Sequence, residues 1–175
     1  MNPLVDYLTM TTRERPAIPV DITLTDEEVS SINRIVNAVK LLKVSDLTRS
    51  DGESSVTEMS LSAELAVMKY MEVKPKLEII IGEGISDETF FHKGKSIEIQ
   101  CRSKEGLAFL SPYNSSKWFD VDYGILVYRI NDSKYRIHGV ISGEMFAREH
   151  TVKEHGGIKF EVCGPDCFSD IALIR

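Results

Sequence analysis

The feature that most constrains this chain is a change of hydrophobic period near Pro75. Before it the repeat is helical. In TDEEVSSINRIVNAVKLLK, Val29, Ile32, Val36 and Val39 recur at helical intervals behind Thr25 and Glu28, which stand in capping-box spacing. A second helix is predicted from about Ser60 to Glu72, SLSAELAVMKYME, and it must stop before Pro75, whose ring cannot continue it. After Pro75 the period becomes two. LEIII (Leu77 to Ile81) and DYGILVYRI read as buried strands, GKSIEIQCRS alternates, and KYRIHGVIS pairs back across an Asn131-Asp132-Ser133 turn. A short helix is predicted over 143–149, and further strands near 158–162 and 169–174. The order is that of an α/β or α+β domain whose sheet lies mostly in the second half.

The chain has 175 residues, enough for one domain and one core. Residues 1–22 carry Pro3, Pro16 and Pro19 without a period and read as an N-terminal arm, extended or tied down by the domain. The single domain is expected over 23–175, with a helical part at 24–72 and a sheet-rich part at 77–175. Between the two helices, VSDLTRSDGESSVTEMS has the composition of a loop. No apolar run approaches the roughly 20 residues of a membrane span, so no membrane partner is expected. The opening residues lack a secretory signal pattern and three cysteines are too few for a disulfide framework, which together point to the cytoplasm.

Charge narrows the function classes. The net charge is -6, whereas proteins that wrap duplex nucleic acid are usually basic. The balance is uneven: residues 1–91 hold 9 basic and 16 acidic side chains, residues 92–175 hold 12 and 11. DNA contact, if any, is expected through a restricted patch of the second half.

Three acidic positions stand out. On a helical wheel Leu61, Leu65, Val67, Met68 and Met71 share an arc, and Glu64 falls inside it. A carboxylate there needs a cation, a metal or several donors; alternatively, the helix rolls and Glu64 reaches solvent at the edge of the stripe. In GKSIEIQCRS, Ile97, Ile99 and Cys101 face one side of a strand while Glu98, Gln100 and Arg102 line the other. Such a face is either an ordinary solvated one or an ordered chemical row. Just upstream, GEGISDE supplies Asp87 and Glu88 at a Gly-flanked turn. Carboxylates from a helix, a turn and a strand are a recurrent grip for hard divalent cations.

With these residues the chain resembles the PD-(D/E)XK nuclease-like proteins, in particular small phage-encoded members. The resemblance runs from VDITLTDEEV through SAELAVMKYMEV and IEIQCRS to DYGILVYRINDSKYRIHGVIS. It implies a central mixed β-sheet flanked by helices, here with an N-terminal helical extension, and a Mg²⁺- or Mn²⁺-dependent endonuclease or exonuclease acting on DNA phosphodiesters. Glu64 matches the family's helix Glu, Asp87 (or Glu88) its hairpin acid, and Glu98-Ile99-Gln100 its acidic-x-Lys motif with Gln for Lys. In that register Glu64, Asp87 and Glu98 hold the metal, Gln100 positions water and Arg102 contacts phosphate. A second register sets Gln100-Cys101-Arg102 on the motif and leaves a degenerate site. The alternative function is then an inactive nuclease-fold binding protein, phage-encoded and directed at a host protein in the host cytoplasm.

Other patterns are looser. Cys101, Cys163, Cys167, His150 and His155 have poor zinc spacing. His92 and His138 stand singly. Phe90, Phe91, Tyr113, Trp118 and Tyr123 are either core or platforms for stacking on unpaired bases. GEGISDE lacks the Lys-Ser/Thr end of a P-loop.

Overall fold

In a computed structural model, the described residues are 16–42, 58–74, 89–112 and 121–175. They form a mixed α+β fold with two sheets and three α-helices. The elements in chain order are β1 (Val20–Thr23), α1 (Asp26–Leu42), α2 (Glu58–Tyr70), β2 (Thr89–His92), β3 (Lys95–Arg102), β4 (Phe109–Pro112), β5 (Tyr123–Arg129), β6 (Lys134–Ser142), α3 (Gly143–Glu149), β7 (Thr151–His155) and β8 (Ile158–Cys163). Two 3-10 turns follow, Pro165–Cys167 and Ile171–Ile174. Among the described residues, no helix is long and apolar enough to cross a membrane.

The larger sheet has the order β1-β6-β5-β3-β2, with β3 parallel to β5 and the other pairs antiparallel. The smaller sheet has the order β4-β8-β7. Hairpin β5–β6 closes as its turn residues predict: Asn131 Oδ1 accepts from the main-chain N–H groups of Ser133 (3.0 Å) and Lys134 (2.8 Å). Helix α1 begins with the capping box read from the sequence. The Thr25 N–H donates to Glu28 Oε2 at 2.6 Å, and the Glu28 N–H to Thr25 Oγ1 at 3.2 Å. Lys69 of α2 then binds the same Glu28 carboxylate at 2.9 Å, tying the two helices together.

The faces of the large sheet are covered differently. Helices α1 and α2 pack Ile32, Val36, Ala63, Leu65, Ala66 and Val67 onto Ile97, Ile99, Ile125, Val127, Tyr135 and Ile137. The opposite face meets the second sheet and α3, through Phe109, Leu126, Tyr128, Met145, Phe146 and Phe168. Helices therefore flank one face, and on the other the flanking layer is mostly a sheet.

Several expectations need adjustment. Residues 20–23, assigned mostly to an arm, form an edge strand on β6, with Asp21 held by Arg136 (2.6 Å) and Lys134 (2.8 Å). The strand expected near 169–174 is reduced to two isolated bridges at Ser169, to Pro16 and to Val140, followed by the 3-10 turn; a four-residue apolar run fits either, and Asp170 caps the turn by accepting from Ala172 N–H at 3.0 Å. The second bridge uses both main-chain groups of Val140 and leaves no room at Gly139, where a Cβ would lie 2.5 Å from the Ser169 carbonyl oxygen. Strands β4 and β7 were not foreseen. The expected strand at 77–81 lies outside the described residues.

Candidate functional site

Strand β3 runs between β2 and β5 and carries the predicted row. Its alternation is as expected: Ile97 and Ile99 enter the helix-side core, and Glu98, Gln100 and Arg102 face the second sheet. The surroundings of that row differ from both readings of it, because Glu98 is buried while Gln100 and Arg102 are half-buried against the second sheet. Glu98 is only 3% exposed. Across from it on β5 is Gly124, and the ring of Phe109 occupies the space a side chain would take there, approaching to 2.8 Å of a notional Cβ. Glycine at 124 thus lets an aromatic ring close over the carboxylate's side of the sheet.

Gln100 has the most complete environment. Its Nε2 donates to the Leu110 carbonyl at 2.6 Å and to Glu98 Oε1 at 2.9 Å. Its Oε1 accepts from the Leu110 N–H at 3.0 Å and from Arg102 Nη2 at 2.7 Å. All four hydrogen-bonding positions of a carboxamide are filled. Because the Leu110 N–H and C=O are both engaged, the side chain serves as the missing neighbour strand for β4, whose other edge pairs with β8. Arg102 continues the brace by donating from Nε to the Ala108 carbonyl at 3.0 Å. Opposite Arg102 on β5, the Tyr128 hydroxyl donates to the Leu107 carbonyl at 3.0 Å, and burial pushes this phenol above its usual range. Residues 107–110 are therefore fastened to the large sheet by side chains.

Glu64 is not part of this row. The residues of α2 that bury are Ser62, Ala63, Leu65, Ala66 and Val67, which rolls the helix so that Glu64, Leu61 and Met68 are only half-buried. Leu65, Val67 and Met71 of the expected stripe are buried and Leu61 packs against them, while the small Ala63 and Ala66 let the helix sit close on the sheet and leave Glu64 and Met68 at the stripe's edge. Since α2 covers the Ile97 and Ile99 face, the sheet stands between it and the Glu98 row. Asp87 and Glu88 lie outside the described residues. The set Glu64, Asp87 and Glu98 expected to hold Mg²⁺ or Mn²⁺ therefore lies only partly within the described residues, and among the described residues no group of three or more His, Cys, Asp or Glu is placed to hold a metal ion. The looser zinc set fares the same way. Cys101 packs at the helix-side core, whereas Cys163 and Cys167 belong to the other one.

The remaining candidates have ordinary surroundings. His138 Nε2 hydrogen-bonds the Pro165 carbonyl at 3.0 Å, and His150 Nδ1 the Phe146 carbonyl at 3.1 Å. Phe91 is 75% exposed, and Tyr123 packs partly against the core; Tyr113 and Trp118 lie outside the described residues.

One polar cluster escaped sequence reasoning. Asp122, just before β5, accepts from Lys95 Nζ (2.8 Å) and the Ser96 N–H (2.9 Å), while its own N–H donates to Ser96 Oγ (2.9 Å). Lys95, then the Ser96 amide, hold this carboxyl below its usual range. The clasp fixes the start of the parallel β3–β5 pair. Its only sequence signal was an Asp directly before an apolar run.

The chain matches no protein-family model, no curated protein and no solved structure.

Proposed function

We propose that this chain is a PD-(D/E)XK-like domain that has given up phosphodiester hydrolysis and works by binding, with a protein partner favoured over DNA. The observation that carries the reading is the saturation of Gln100. At the position where the resemblance calls for a lysine that orients water, the side chain is occupied on all four sides by Leu110, Glu98 and Arg102. Arg102, the residue assigned to phosphate, is turned onto Ala108 and Gln100. Gln100 has no donor left for water or phosphate without breaking that brace, and Arg102 spends its Nε–H and an Nη2 hydrogen on the same brace.

The charge arrangement supports a protein partner. Phosphate-backbone binding depends on cations that displace counterions, yet Lys69, Lys95, Arg129, Lys134, Arg136 and Arg148 each sit against a carboxylate. DNA contact through a restricted patch is accordingly weak and salt-sensitive in this proposal.

The test is cleavage of single- and double-stranded DNA with Mg²⁺ and with Mn²⁺, beside a Glu98→Ala control. Equal background in both proteins is the expected result. Metal-dependent cleavage by the native chain that disappears in Glu98→Ala would overturn the binding reading and restore a metal-dependent nuclease, for which the burial of Glu98 is the favouring observation.

A further inference from the structure

We propose that a half-open cavity between the β2–β3 turn and the 3-10 turn Ile171–Ile174 binds a small organic acid: an apolar body carrying one carboxylate. The cavity, of about 190 Å³, lies at the Ile97 side of β3, so it is separated from the Glu98–Gln100–Arg102 row and independent of the function proposed for that row. At roughly 30 Å³ per water it has room for about six waters, or an acid of ~6–10 heavy atoms.

Its lining has two chemistries. Ile97 and Ile174 supply an apolar wall, which favours a hydrocarbon body over a bare inorganic ion. Lys93, Lys95 and Arg175 supply cations at the rim. Each cation is positioned by an oxygen partner. Lys93 Nζ donates to the Arg175 main-chain oxygen at 2.8 Å, Lys95 Nζ to Asp122 Oδ1 at 2.8 Å, and the Arg175 guanidinium to Glu72. Asp122 and Glu72 already balance Lys95 and Arg175 and orient them at the rim, so Lys93 is the cation that keeps donors for a ligand carboxylate: an ammonium has three, and the Arg175 main-chain oxygen takes one.

The rim is also held in place by its backbone. The turn holding Lys93 has left-handed backbone at both central residues, φ 51° at Lys93 and 76° at Gly94, which is the tight hairpin geometry that fixes the flanking strands. His92, beside it, also lines the cavity.

The probe is sodium benzoate, titrated into ¹⁵N-labelled protein at constant ionic strength, with sodium phosphate and sodium chloride as parallel arms. Saturable benzoate shifts are expected at the amides of His92, Lys93, Lys95, Ile174 and Arg175, with phosphate weaker and chloride without effect. Lys93→Glu is expected to weaken benzoate about tenfold or more, a loss of ~1.4 kcal/mol, and Lys93→Gln to fall between it and the native protein. Lys93 is exposed, so an otherwise unchanged spectrum certifies each variant's fold. Absence of saturable benzoate shifts, equal binding by Lys93→Glu, or phosphate binding as tightly as benzoate would each overturn the proposal.

Discussion

Replacing Gln100 by methionine isolates the brace that holds the second sheet. Methionine has nearly the length and volume of glutamine, so packing is kept while all four hydrogen bonds are removed. Their loss leaves the Leu110 N–H and C=O, the Arg102 Nη2 and Glu98 Oε1 without the partner they have now. At about 1 kcal/mol net for each bond the sum is ~4 kcal/mol; the row is only part-buried, so water replaces some of it and about 3 kcal/mol is expected. For a chain of this size that is a fall in Tm of about 6–12 °C. Urea unfolding followed by circular dichroism gives the global value, and amide exchange gives the local one. The Leu110 N–H should lose protection far more than amides of β5 and β6. A stability loss below about 0.5 kcal/mol with unchanged Leu110 exchange would refute the idea that Gln100 substitutes for a strand.

Three other outcomes follow from the packing and charge described above. Gly139→Ala places a Cβ against the Ser169 carbonyl, so the Val140–Ser169 bridge must open; a loss of about 2–4 kcal/mol is expected by urea unfolding, and a neutral variant would contradict the close approach. The Asp21 carboxyl is held well below the usual range by Arg136 and then Lys134, so its contribution is complete above the unfolded value near pH ~4 and is lost as pH falls through the lowered folded value. Asp21→Asn should therefore lower stability at neutral pH and shallow the fall below pH ~4, while Asp122 and Glu28, depressed in the same direction, keep part of that slope. Burial, with Cys167 beside it, pushes the Cys163 thiol up to about 12, so iodoacetamide at pH ~8 should label Cys163 much more slowly in native than in urea-unfolded protein; equal rates would contradict its enclosure.

Much of the frame was legible because local signals agreed with tertiary ones. The Thr25–Glu28 box, the Asn131 turn and the helix over 143–149 each rest on interactions within a few residues, and the structure has all three. Parity along β3 was equally readable, since alternation depends only on the backbone. What covers each face was not. The wheel weighted Leu61 and Met68 by hydrophobicity, whereas Ala63 and Ala66 win the interface by being small. The solvated and catalytic readings of the Glu98 row both assumed an open face, and neither could anticipate β4, whose signal is four residues ending in a proline. Gln100 looked like a substituted catalytic lysine because two of its four hydrogen bonds are to main-chain atoms of Leu110, which have no signature in side-chain sequence.

The position of β1 sets a timetable for the chain as it emerges from the ribosome. Asp21 and Arg136, joined across β1 and β6, are 115 positions apart. At ~5–20 residues per second, β1 therefore waits roughly 6–23 seconds for its partner strand to be made. Until then its main-chain edge must be left to water or to a passing chaperone. The final edge of the larger sheet is consequently a late event in biogenesis, and conditions that slow elongation between β1 and β6 lengthen the interval in which this protein exposes an unpaired strand.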